Sequence, residues 1–506
     1  MNATPTRIIT TALAALIIIS CQQPHYDTII KGATLLDGSG NEGVVMDVAF
    51  NGDTIAAIGD LSRANAGELI NGSGLVLAPG FIDAHSHHAG GLDDDPSGLA
   101  VVSQGVTTIV TGQDGGSEVP LSDYFSRLEK SPVAINVASY AGHNSIRDKV
   151  METNFKRKAT DDEISRMKSI LTQEMEAGAL GLSTGLEYDP GIYSDPEEVL
   201  ELAKILPAYG GRYISHLRSE DRWYDAAVGE IIRIGKEAGI PVQISHFKLA
   251  MLSLWGKAAA SIARLDSARA AGIDITADVY PYPYWSSTIR VLFPERNFND
   301  LKEAGFILKN VTTPEGIIFS NYDPNPEYNG KSLAEAAVME NTSPEKMLVE
   351  LISRLDDCEA NEGGCNGSIV ATSMDEQDIA TIMRWPYSGI CSDGSSTGRH
   401  PRGFGAFTRV LRKYVREDSV LTLSDAVRRM TSLNAQSLGL KRRGIIRTGY
   451  KADLVLFNPA TVADRSTIAE PQAQSTGIEQ VWVNGTTVFK QGKSTSARPG
   501  KVLRRE

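Results

Sequence analysis

The sequence predicts an α/β protein: a TIM-type (β/α)8 barrel with a small β-sandwich domain built from both chain ends. Three observations carry this. Short β-rich runs alternate with amphipathic helical stretches from residue 80 to residue 437. Four histidines stand at the ends of such runs, and only eight exist in the chain of 506 residues. Two turn-rich, β-rich flanks precede and follow the alternating region.

In chain order, residues 1–21 read as a targeting segment and lie outside the fold. Arg7 supplies the positive charge, and Ile8 to Ile19 is an apolar stretch too short for a comfortable membrane span. Residues 22–78 form the first part of the sandwich, with turns at Asp37-Gly38-Ser39-Gly40 and Asn51-Gly52-Asp53. The barrel covers 79–439. Its strands are expected to end near His87, Thr111, Ser139, Thr184, His216, His246, Tyr280 and Asp393. They read as continuous apolar runs because barrel strands are buried on both faces. Helices are expected over Asp161–Ala177, Pro196–Tyr209, Ala226–Ala238, Lys257–Ala271 and Leu423–Ser437. In the first of these, Ile164, Met167, Ile170, Leu171 and Met175 follow helical spacing. Residues 293–366 exceed a usual connection and are expected to cover the barrel mouth like a lid. Residues 440–506 complete the sandwich, because neither flank alone buries enough surface.

Hydrophobic content of 42% and 22% charged residues describe an ordinary globular protein. The net charge of −12 and the lack of a Lys/Arg stripe argue against nucleic acid. Cys358 and Cys365 either pair in an oxidising compartment or remain free thiols. Cys391 reads as a packed core thiol.

The chemistry concentrates in Pro79-Gly80-Phe81-Ile82-Asp83-Ala84-His85-Ser86-His87. On a strand, His85 and His87 would project side by side and offer two imidazole nitrogens to one cation. Tyr213-Ile214-Ser215-His216 and Val242-Gln243-Ile244-Ser245-His246 repeat the strand-end histidine, and Asp393 stands at a fourth strand end. Barrel active sites lie at these carboxyl ends. Arg218, two residues past His216, would share that histidine's side of an extended segment.

With these strand ends, Gln104-Gly105-Val106-Thr107-Thr108, Gly181-Leu182-Ser183-Thr184-Gly185-Leu186, Asp278-Val279-Tyr280-Pro281-Tyr282, Ser392-Asp393-Gly394 and His400-Pro401-Arg402 resemble the N-acyl-D-amino-acid deacylase (D-aminoacylase) branch of the amidohydrolase superfamily, in its order. The resemblance spans nearly all of the chain after residue 26. It implies a metal-dependent hydrolase that cleaves N-acyl-D-amino acids to a carboxylate and a D-amino acid, with Asp393 as general base and then general acid. The metal ligands it implies are His85, His87, His216, His246 and the residue ending the second strand. That residue is cysteine in the family and Asp114 here, with Glu118 as a substitute. The cofactor is one or two divalent ions, zinc first. A carboxylate is harder than a thiolate and moves the preference toward manganese or iron. Lys248 and Arg402 match positions that hold the substrate's α-carboxylate, and Tyr280, Tyr282 and Ser287 are further substrate-binding candidates. The alternatives are a dipeptidase or other amidase acting on D-residue-containing peptides, and an inactive metal- or ligand-binding lipoprotein, motivated by Asp114. Ile18-Ile19-Ser20-Cys21 resembles a bacterial lipobox, which implies lipidation of Cys21 and a membrane anchor on the periplasmic side. An ordinary secretory signal is the alternative.

Overall fold

A computed structural model describes residues 24–505. The leader 1–21 with Cys21 lies outside the described residues. Eight parallel strands form the barrel: Phe81–Asp83, Val106–Thr111, Asn136–Ser139 continuing as Ala141–Gly142, Gly181–Gly185, Arg212–His216, Val242–Ile244, Ile275–Val279 and Ser388–Ile390. Every residue of Val106–Thr111 is buried, as a strand covered on both faces requires. The third strand changes partner at Tyr140. Its first part pairs with Val106–Thr111 and its second with Gly181–Gly185.

The seam between the first and eighth strands is closed by single bonds. Asn434 Nδ2 donates to the carbonyls of Ile82 at 2.7 Å and Ile390 at 2.8 Å. The Asp393 N–H donates to His85 O, and the His87 N–H to Gly394 O, both at 2.9 Å. These bonds tie the loop carrying Asp393 to the segment carrying both histidines.

The helix Asp161–Ala177 starts with a capping box between Thr160 and Glu163 and stops at Gly178, whose φ is 109°. Two expected helices are shorter. Pro196–Ala203 gives way to a 3₁₀ turn, Leu206–Tyr209, because Pro207 has no N–H to continue the ladder. Leu423–Ser437 breaks at Thr431 into Leu423–Met430 and Ser432–Leu438. The break lets the second piece carry Asn434 to the seam.

Both flanks share one nine-stranded sheet. Val76–Pro79 joins them, pairing parallel with His25–Leu35 and antiparallel with Leu454–Phe457. The sheet curls until Phe50 of Val44–Asn51 meets Trp482 of Ile478–Val483 edge-on, with centroids 6.2 Å apart. Both rings are buried in a core with Ile30, Val48, Leu454 and Leu456.

The insertion is a small α/β unit with its own core, which includes Phe293, Ile307, Phe319, Leu351 and Ile369. It is wider than 293–366. Its antiparallel sheet begins with Tyr284–Thr288, which pairs with Gly367–Thr372, and Ile317–Tyr322 forms the other side. Cys358, in the helix Pro344–Glu362, is disulfide-bonded to Cys365, and Cys391 is a buried free thiol.

Candidate metal centre and substrate cavity

The first strand ends at Asp83 and the sixth at Ile244, so His85, His87 and His246 stand on the turns that follow. The turns aim them by unusual backbone. His246, Asp114 and Asp393 have φ of 34°, 51° and 48°, in the left-handed region that side chains disfavour. Such conformations persist where surrounding structure enforces them, and they cluster at functional sites. Part of the enforcement is Gly185, where an added Cβ would lie 2.1 Å from the backbone oxygen of Asp114. His246 is fixed from below by Asp278, whose Oδ1 accepts the His246 N–H at 2.6 Å.

Asp114 lies at the centre. Its Oδ2 is 3.4 Å from His85 Nε2 and 3.3 Å from His87 Nε2, and its Oδ1 is 3.3 Å from His246 Nε2. His246 Nε2 is in turn 2.9 Å from His216 Nδ1. Asp393 faces the first pair, with Oδ1 3.5 Å from His85 Nε2 and 3.2 Å from His87 Nε2. Two sets of donors result, His85, His87, Asp114 and Asp393 in one and Asp114, His216 and His246 in the other, each with ligand atoms within 4.8 Å of one another. Asp114 is common to both. Glu118 is not part of either set, because it pairs with Arg127 on the surface.

Burial would raise both carboxylates. At Asp114 the neighbouring histidines outweigh it, and at Asp393 the Arg402 guanidinium and the histidines do, so both are held well below the usual carboxylate range. Burial would lower the histidines, yet bonds to Asp114 and Asp393 lift His87 to about 9, and His246 rises to about 10 against both burial and Lys248. Both ring nitrogens of His85 and Oδ1 of Asp114 are buried without a hydrogen-bond partner. Such orphaned groups are costly in a protein interior. Imidazole nitrogens and carboxylate oxygens converging at this spacing fit one or two divalent cations.

A cavity of about 370 Å³ opens over these groups. Lys248, Arg402 and Ser287 line it, as do Trp285, Leu292 and Pro294 of the insertion. Arg402 Nη1 is 2.6 Å from Asp393 Oδ2, and its Nε is buried without a hydrogen-bond partner. Lys248 Nζ donates to both oxygens of Glu220, at 2.8 and 2.7 Å.

Three candidates fall elsewhere. Arg218 is corrected: the chain bends there instead of staying extended, and its guanidinium forks onto Glu230 with two 2.8 Å bonds, facing away from the cavity. Tyr280 is one layer back. Its buried ring lies under the Arg402 guanidinium at 4.9 Å and the Lys248 ammonium at 5.8 Å. Tyr282 packs beneath Arg409. Sequence reasoning missed Glu187, Tyr188 and Glu220, which all line the cavity. Their available signal was position: Glu187 and Tyr188 follow the fourth strand, and Glu220 lies four residues past His216.

The amidohydrolase family pattern matches residues 378–489. An N-acyl-D-glutamate deacylase of Alcaligenes xylosoxydans xylosoxydans is 37% identical over 510 residues, covering 96% of this chain and 98% of the relative. A D-aminoacylase of the same organism is 36% identical, covering 96% and 99%. Among solved structures, a D-aminoacylase superposes with a TM-score of 0.85 at 34% identity, over 95% of this chain and all of that one (100%). An N-acyl-D-glutamate deacylase from Bordetella bronchiseptica, complexed with zinc and a phosphonate mimic of the tetrahedral intermediate, gives 0.85 at 33% identity, again over 95% and 100%. With 37% and 36% identity to deacylases over 96% of its length, and a D-aminoacylase superposing with a TM-score of 0.85, the chain belongs to the amidohydrolases, in the D-aminoacylase family.

Proposed function

We propose that the protein hydrolyses the amide of N-acyl-D-amino acids, releasing a carboxylate and a D-amino acid. The observation that carries this reading is Asp114, whose two oxygens face two histidine sets while Asp393 stands opposite in the cavity that opens over them. His85, His87, Asp114, His216 and His246 would hold zinc, with manganese or iron also suited to the carboxylate-rich set. When bound, such an ion lowers the pKa of water to about 7 and polarises the amide carbonyl. Asp393 takes the proton of the attacking water and delivers it to the leaving amine, general base and then general acid. Arg402 and Lys248 grip the α-carboxylate and so set the D-configured centre against the reacting bond. Ser287 adds a hydroxyl to the same wall.

A screen of N-acetyl-D- and N-acetyl-L-amino acids for released amine tests the reading. Free amine from D-substrates alone is expected. Release from neither series, in metal-loaded protein, would sink it.

Asp114→Asn is expected to lower metal occupancy, with excess metal restoring part of the rate. Asp114→Cys should shift preference toward zinc, since thiolate is the softer ligand. Metal titrations read both. Parental occupancy and turnover in Asp114→Asn would reduce Asp114 to a turn residue.

The reading includes an address. The lipobox-like Ile18-Ile19-Ser20-Cys21 supports an exported lipoprotein anchored through Cys21 on the periplasmic side, and the Cys358–Cys365 disulfide suits an oxidising compartment. Cys21→Ser should move the protein from the membrane to the soluble fraction. Continued membrane association would show that another element anchors it.

A further inference from the structure

The face of the barrel opposite the metal centre carries a cleft of about 990 Å³. Asp274 and Thr276, at the start of the seventh strand, line it with Pro386 and Tyr387, which precede the eighth. The metal-centre residues stand beyond the carboxyl ends of the strands. The cleft therefore lies at the amino ends, away from the reacting groups.

Its charge opposes that of the chain. Arg269, Arg428, Lys441, Arg442 and Arg443 line it against one carboxylate, Asp274, in a protein of net charge −12. Two of these cations are spent. Arg443 turns into the β-domain and pairs with Asp453, and Arg269 takes Asp274 at 3.1 Å. The other three keep their charge. Lys441 and Arg442 are exposed, and their side chains have no partner among the described residues. Arg428 donates to the carbonyl of Pro386 at 3.1 Å, and its nearest carboxylate, Asp425, is 3.9 Å away, beyond hydrogen-bond reach.

Tyr387 gives the cleft a fixed aromatic wall. The Arg269 guanidinium lies over its ring at 3.5 Å, and Trp385 meets it edge-on with centroids 5.4 Å apart.

Like charges gathered in one place repel one another and oppose folding. The hydrolytic chemistry does not use these three cations, and no carboxylate of the protein neutralises them. A ligand that brings negative charge removes the repulsion. Two guanidinium forks and one ammonium match a tetrahedral oxyanion, and a dianion balances them better than a single carboxylate would. The volume leaves room for an organic group beside Tyr387.

We propose that this cleft binds a phosphate ester, with Arg428, Lys441 and Arg442 on the phosphate and Tyr387 beside the organic part. The site is separate from the hydrolytic one and does not depend on it.

The test compares the full chain with its double reversal, Lys441→Glu/Arg442→Glu. Both side chains are exposed and unpaired, so the reversal breaks no contact of the fold. The soluble probe is glycerol 3-phosphate, read by calorimetry. The membrane probe is a phosphatidylglycerol vesicle, read by cosedimentation with Cys21→Ser in both proteins, so that lipidation does not mask the result. The parent is expected to bind at least one probe, more weakly as salt rises. The reversal should bind that probe about tenfold more weakly or worse. Binding of glycerol 3-phosphate alone identifies a soluble ester, and binding of vesicles alone identifies a lipid headgroup. Phosphate held at the metal centre is untouched by the reversal and cancels in the comparison. Equal behaviour of parent and reversal toward both probes would overturn the proposal.

Discussion

Asp393→Asn is expected to lose hydrolysis by roughly 10³- to 10⁴-fold, the upper part of the general acid–base range. Arg402 occupies one carboxylate oxygen at 2.6 Å, and the other points at His87 and His85 from 3.2 and 3.5 Å. The oxygen that Arg402 leaves unclaimed is thus the one beside the reacting centre. Asparagine keeps the shape but accepts no proton at neutral pH. It also leaves Arg402 without its counter-charge, which should raise KM less than it lowers kcat. Metal held by His216 and His246 should remain, because Asp393 is not in that set. A fall in kcat of less than about tenfold would show that another group moves the proton.

His216→Ala and His246→Ala should reduce turnover to background by removing the ion itself. Each deletes one of the three donors in the set of Asp114, His216 and His246. Elemental analysis after dialysis should find metal lost with activity in both. His85→Ala should behave differently. It removes a donor from the other set, so activity should fall while part of the metal stays. Full metal content in both His216→Ala and His246→Ala would end the assignment of this site.

How much of this was legible in the sequence depended on the kind of feature. Apolar runs broken by helical spacing located the barrel strands, because burial on both faces leaves a strong compositional mark. The helical spacing of Ile164, Met167, Ile170, Leu171 and Met175 located the helix Asp161–Ala177. The strand-end histidines were visible as residues but not as geometry. Strand alternation was expected to align His85 with His87, yet the strand stops at Asp83, and hydrogen bonds between the loops bring the pair together. The same limit misplaced Arg218, since only an extended segment would have carried it beside His216. Glu187 and Glu220 were illegible for another reason. Acidic residues after strands are common, and nothing in their local sequence distinguishes a side chain that lines the cavity from a solvated one. The insertion's limits were blurred because Tyr284–Thr288 finds its partner in Gly367–Thr372, a pairing invisible to local pattern.

The curled sheet ties residues that are made far apart in time. Lys451 bonds to Asp53 across 398 residues of chain. At synthesis rates of roughly 5–20 residues per second, that span takes on the order of 20–80 s. Through that interval Ile30, Val48 and Phe50 have neither Leu454 nor Trp482 to cover them, although these residues share one core in the finished molecule. The strands at the front of the chain are therefore an open, sticky edge until about the last tenth of the protein arrives. Holding factors that shield exposed strands should matter more to the yield of this protein than to one whose β-domain is contiguous, and a chain cut short before Leu454 should aggregate through its own first strands.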